Sequence, residues 1–169
     1  MKASKTIAIF GGLLTVVALG VWSATVSATG VQAAKPPVAR KQVNMPPLPF
    51  GPRDPLPRSP QVVGSVFRFA AEHPEVLNYV PCFCGCDHMG HKGNTDCFVK
   101  SRAADGDVVQ WELHGTECQV CIDVGQQAMQ MYSSGASVKQ IRAAVEQKYA
   151  GQYQNHTPTP QPPAPAATK

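Results

Sequence analysis

Six cysteines, Cys82, Cys84, Cys86, Cys97, Cys118 and Cys121, carry most of the chemistry this chain can offer. Their spacing is C-x-C-x-C, then ten residues to a fourth Cys, then twenty to a C-x-x-C pair. Three thiols in one tight, Gly-containing turn can converge on one ion or a small cluster, and soft sulfur donors select Cu(I) or Zn²⁺ over hard cations. His88, Met89 and His91 follow at once and add borderline or soft donors. Cys118 and Cys121 are one helical turn apart, so their thiols face the same way, and a helix's first turn favours thiolate. The metal reading therefore takes Cys82, Cys84, Cys86, Cys97, Cys118, Cys121, His88 and His91 as ligands, with His114 a weaker candidate. His73, next to Pro74, fits C-terminal helix capping instead. Met129, eight residues beyond Cys121, reads as a core methionine, and His156 carries no argument.

Between the two metals the sulfur count favours copper. A structural Zn²⁺ takes four ligands, usually as two separated pairs. Six thiols exceed that need, whereas Cu(I) accepts two or three thiolates and shares them between ions. The expectation is more than one Cu(I) per domain, with Zn²⁺ the alternative. Two other readings stay open. Neighbours in a C-x-C run cannot easily bridge each other, but each of the first three cysteines could pair with one of the distant three. A disulfide-stapled structural or interaction module of the cell envelope, with no metal, would follow. A thiol–disulfide redox role for Cys118 and Cys121 is the third. Covalent c-type haem fails, because Ile122 and not His follows Cys121. The pair also lacks the preceding strand and βαβ context of a thioredoxin-like site. Ferredoxin and rubredoxin spacings are absent, as are a Ser-nucleophile motif, a phosphate loop and H-E-x-x-H, so no catalytic motif is visible.

The elements that must hold these residues are mostly helical. Val62, Val63, Val66, Phe67, Phe69 and Ala70 recur at helical spacing behind Ser59 as N-cap and Pro60 in the first turn. Pro74 ends that helix or starts a short one. A Gly- and Cys-rich loop covers 81–96. Cys97-Phe98-Val99 can pair with 108–113 around the turn Ala104-Asp105-Gly106-Asp107. Thr116 is placed as the cap of a helix to about Tyr132, stopped by Gly135. Ser137 with Gln140 forms a capping box for a last helix, whose apolar face is Val138, Ile141, Ala144, Val145 and Tyr149. The fold class expected is a mainly α, small Cys-rich domain with at most a minor β-hairpin.

At Pro81-Cys82-Phe83-Cys84-Gly85-Cys86 the chain resembles a bacterial family named for its PCYCGC motif, whose members are often described as lipoproteins. The likeness continues through Asp96-Cys97-Phe98, His114, the Cys118/Cys121 pair and the Gly135-Ala136-Ser137 junction. Phe83 stands in for Tyr, which keeps aromatic packing and loses a hydroxyl. The resemblance implies a place in the cell envelope and no particular reaction. It does not extend to lipid attachment, because no Cys sits near the end of the leader.

Composition agrees with export. Of 16 Pro, nine fall within 36–60 and five in the last dozen residues, so the chain holds one ordinary domain between Pro-rich flanks. Residues 61–153 carry seven Lys/Arg and ten Asp/Glu, a net of 7 − 10 = −3, with no basic cluster, which excludes nucleic acid as a partner. Lys2 and Lys5 precede an apolar run over 7–26, and Val31-Gln32-Ala33 resembles a signal-peptidase site. Residues 1–34 thus read as a cleaved signal or a retained anchor to the membrane, and both place the rest outside the cytoplasm. Residues 35–60 read as an extended linker, 61–153 as the Cys-rich domain and 154–169 as a disordered tail.

Overall fold

Ser59 Oγ accepts from the Val62 N–H at 3.4 Å and Pro60 opens helix α1 (Pro60–Glu72), as the cap signals predict. The structure is a computed structural model and describes residues 42–164, which form one compact unit. The expected signal or anchor over 1–34 lies outside the described residues. No helix among those described is long and apolar enough to cross a membrane.

Pro74 lacks an N–H and restricts the residue before it, so α1 ends at His73 and a one-turn helix α2 (Pro74–Leu77) begins. Two 3₁₀ turns follow at Cys86–Met89 and Asn94–Cys97. Strands β1 (Val99–Arg102) and β2 (Val108–Trp111) form an antiparallel hairpin, with Val99 opposite Trp111 and Arg102 opposite Val108. The hairpin begins later than its sequence pattern suggests, because Cys97 is still wound into the second 3₁₀ turn. Helices α3 (His114–Glu117), α4 (Gln119–Ser133) and α5 (Val138–Tyr149) complete the chain. Gly135, at φ 85°, stops α4. Ser137 and Gln140 form the expected capping box of α5. The fold is mainly α with a minor two-stranded sheet.

One helix boundary differs from expectation. Thr116 caps nothing: its hydroxyl donates to the Leu113 carbonyl at 2.7 Å. The helix instead breaks at Cys118, which is extended (φ −102°, ψ 105°) and becomes the N-cap residue of α4.

The core forms where α1 packs on α4 and α4 on α5, with the hairpin closing one end. Phe67 sits at its centre, in edge-to-face contact with Phe50, Phe98 and Trp111 at centroid distances of 5.7, 5.1 and 5.5 Å. Such pairs add about 0.5–1.5 kcal/mol each beyond the burial itself. Arg102 reaches back to the Ala70 and Ala71 carbonyls, capping the C-terminus of α1 and fixing the hairpin to it.

Where they are described, both Pro-rich flanks make contacts with the core. Trp111 Nε1 donates to the Pro46 and Pro47 carbonyls at 3.2 and 3.0 Å, and Arg58 forms a two-point ion pair with Asp123. Leu48, Phe50 and Leu56 lie against the core. In the tail, Arg142 donates to the Thr159 and Pro160 carbonyls, and Thr157 is 1% exposed. Proline removes donors but leaves carbonyls, and buried Trp and Arg side chains supply the donors those carbonyls accept.

Candidate metal centre

Loop 81–93 is closed at its ends by backbone hydrogen bonds. The Asn94 N–H donates to the Val80 carbonyl at 2.8 Å, and the buried Asn94 side chain donates to the Cys121 carbonyl at 3.2 Å. The first joins the two ends of the loop, and the second ties it to the start of α4. Within it Gly85 adopts φ 76°, a left-handed conformation costing a residue with a Cβ about 1–2 kcal/mol, and so turns the chain between Cys84 and Cys86. Cys82 is held from the far end of the chain. Its N–H donates to Thr157 Oγ1 and its carbonyl accepts from the Thr157 N–H, both at 2.9 Å. Phe83 turns away from the sulfurs and stacks on Tyr149 at 5.8 Å. On the other side Gly115 lets α3 approach: a Cβ there would meet Phe98 Cδ1 at 2.5 Å and the Cys97 carbonyl oxygen at 2.6 Å.

All six thiols converge. Cys82, Cys84 and Cys121 form a sulfur triangle with edges of 3.5, 3.4 and 3.2 Å. Cys86 and Cys97 lie 3.8 Å apart on one side of it. His114 Nε2 is 3.4 Å from Cys84 Sγ, and Cys118 Sγ lies within 4.8 Å of both. Two sets of donors result, each mutually within 4.8 Å: Cys82, Cys84, Cys86 and Cys97, and Cys84, His114, Cys118 and Cys121. A tetrahedral ion with metal–sulfur bonds of ~2.3 Å spaces its sulfurs by about 3.8 Å, so small outward movements fit one to either set. A disulfide needs about 2.05 Å. The six cysteines are free, and the disulfide-stapled arrangement is not present.

The thiols share protons. Cys84 is held well below the ordinary thiol range because Cys118 and then Cys121 hydrogen-bond to its sulfur. Cys82 falls to about 4 through Cys121 and Cys84, and Cys86 to about 3 through Cys121 and Cys82. Cys121 is raised strongly, with Cys118 the largest cause, followed by Cys82, Cys84 and Cys86. Cys118 is lowered by Cys121, but Cys84 and burial outweigh this and push it up to about 11. Cys97 also ends well above the ordinary range: the other three sulfurs and burial outweigh Cys121. The leading causes of all six shifts are neighbouring sulfurs and burial. A concentration of thiolate is electrostatically suited to a metal cation.

Residues 53–162 match the model of a family described as "Protein of unknown function with PCYCGC motif". The chain belongs to this family. No curated protein and no solved structure matches it. The PCYCGC match reaches past the Cys-rich loop on both sides and takes in Arg58, Thr157, Thr159 and Pro160, which bind the flanks to the core.

Of the PCYCGC-domain residues singled out in the sequence, the structure gathers the six cysteines but separates the two loop histidines. His88 points to solvent, its side chain 77% exposed. His91 is buried with Nδ1 3.8 Å from Cys97 Sγ; it covers that sulfur without joining either four-donor set. Met89 is half exposed, and Met129 packs on the core. His73 is the C-cap residue of α1, its N–H donating to the Phe69 carbonyl, and its ring lies tilted against those of Phe69 and Tyr132. His114 is the histidine that joins a four-donor set among the described residues. Its signal was available: it lies four residues before Cys118, so H-x-x-x-C-x-x-C places three donors along one run of helical spacing.

Proposed function

We propose that this domain binds a soft, thiophilic metal and serves metal handling in the bacterial cell envelope, with Cu(I) the preferred ion and Zn²⁺ the alternative. The observation that carries this reading is the convergence of six free thiols and the His114 imidazole, from two separate segments, in one place. Disulfide stapling would need bonded pairs, and a dithiol redox site would need only two of these thiols. Sulfur in excess of one tetrahedral shell favours Cu(I), which shares thiolates between ions. In an oxidising compartment bare thiols are vulnerable, and a bound ion protects them.

Export is part of the same reading. It rests on Lys2 and Lys5 ahead of the apolar run over 7–26, which cleavage would remove or a membrane would retain. The direct test is anaerobic purification of the full chain, with metal counted by mass spectrometry and free thiols counted by alkylation. Cu(I) retained against EDTA and removed by a strong Cu(I) chelator is the expected result. Reduced protein that takes up neither Cu(I) nor Zn²⁺, or six thiols found oxidised in native material, would overturn the reading.

A further inference from the structure

The two donor sets differ in more than composition. Cys82, Cys86 and Cys97 are fully buried, and His91 lies over Cys97 from the cleft lined by Met89, Lys92 and Lys100. Cys84, His114 and Cys118 are each part-exposed, and only Cys121 of the second set is sealed. Their supports differ as well. Cys82 is pinned by two hydrogen bonds to the buried Thr157, whereas Cys118 sits at the extended break between α3 and α4 with no side-chain capping bond. The donor count is also informative. Seven donors in two sets that share Cys84 satisfy two ions, whether Cu(I) at two or three thiolates each or Zn²⁺ at four positions with the Cys84 thiolate counted twice.

We infer that the centre holds two metal ions of unequal accessibility, a sealed one on Cys82, Cys86 and Cys97 and an exchangeable one on His114, Cys118 and Cys121, with the Cys84 thiolate shared. This rests on the metal-binding reading above and adds a division of labour to it. The sealed ion acts as a structural element: it links the loop to the entry of the hairpin, and binding free energy there is folding free energy. The surface ion is the cargo. It is released through the face where Cys84, Cys118 and His114 meet solvent, to an incoming soft ligand that replaces them one at a time. Ligand replacement of this kind changes neither oxidation state nor the number of bonds to the ion. His114 fits the exchanging side for a second reason. A neutral imidazole leaves without separating charge, whereas each departing thiolate must be pulled from a cation.

The test uses the reduced full chain loaded anaerobically with Cu(I) to saturation, then challenged with excess of a Cu(I)-specific chelator while release is followed in time. Two equivalents are expected, one leaving at least about tenfold faster than the other, a barrier difference of about 1.4 kcal/mol. His114→Gln and Cys118→Ser should each lose the fast equivalent, keep the slow one and keep the melting temperature of the slow-loaded form. Cys97→Ser should lose the slow phase; if it does not fold, the first two variants still decide the matter. Release of both equivalents in a single phase, or loss of the slow equivalent in His114→Gln, would overturn the division. Saturation at one equivalent would sink the division and leave metal binding standing. Absence of any uptake would instead remove the reading beneath it.

Discussion

The two segments that deliver thiols to the centre do so by opposite means. Loop 81–97 has little regular structure and holds its four cysteines by a left-handed Gly85, two 3₁₀ turns and clamps from distant residues, Asn94 on Cys121 and Thr157 on Cys82. Segment 114–121 uses helix geometry: His114 opens α3, Cys118 caps α4 and Cys121 falls in its first turn. The loop buries three of its four sulfurs, while the helical segment leaves two of its three donors part-exposed. Ionisation differs as well. Cys82, Cys84 and Cys86 on the loop are held low, whereas the loop's Cys97 and both thiols at the helix entry, Cys118 and Cys121, are held high. An irregular loop can surround an ion because its shape is set by outside contacts. A helix terminus can only present donors from one side, which leaves the other side open for exchange.

The largest effect should come from Cys84→Ser, since Cys84 belongs to both donor sets. Metal capacity should fall by more than half, with loss of the rise in melting temperature that loading produces; full stoichiometry in this variant would show that no thiolate is shared. Next in size is pH. Cys118, at about 11, and Cys121, above it, still carry protons at neutral pH and must release them to bind, whereas Cys82 and Cys86 are already thiolates. Raising pH therefore strengthens binding, by up to about tenfold per unit for each proton released, or about 1.4 kcal/mol. On the sealed side only Cys97 is protonated, so its slope should be shallower than that of the surface side. Titrations from about pH 6 to pH 8 with proton release followed by indicator would measure both slopes, and equal slopes would erase the contrast between the segments.

Gly115→Ala tests how closely the two segments must approach. The added methyl meets Phe98 and the Cys97 carbonyl well inside contact distance, both backed by the core, so a loss of about 1–3 kcal/mol is expected in denaturant unfolding of the metal-free domain. A neutral result would mean that α3 can move away from Cys97 freely. The smallest effect concerns the loop's distant clamp. Thr157→Val leaves the buried Cys82 N–H without its acceptor, at a cost of about 1–2 kcal/mol, and should slow or weaken loading of the sealed position more than the surface one. A variant that behaves like the parent in both respects would show that the tail merely rests on the loop.

Features with local causes were legible in the sequence. The Ser59 cap with Pro60, the break at Pro74, the Gly135 stop and the Ser137–Gln140 box all act within a few residues, and each recurs in the fold. The cysteine pattern likewise announces a thiol centre, and the PCYCGC hexapeptide announces the family. His88 and His114 show the limit of such reading. Nearness in sequence favoured His88, two residues after Cys86, yet the 3₁₀ turn over Cys86–Met89 directs it outward. His114 reaches Cys84 only because the hairpin carries the chain back across the core.

What the sequence determined alone is the donor inventory, the local starts and stops of the helices and the turn at Gly85, because caps, prolines and glycines act through sterics and hydrogen bonds over one or two turns. Only the tertiary structure decided which donors meet, which are sealed, and that the Pro-rich flanks belong to the packed unit. Those outcomes depend on pairs far apart in the chain: Cys82 with Cys121 and Thr157, Trp111 with Pro46 and Pro47, Arg142 with Pro160. Composition marked the flanks as unable to build a core of their own, which is a statement about what they bury among themselves. It says nothing about carbonyls and apolar rings that a neighbouring core can accept, which is what the described parts of both flanks supply.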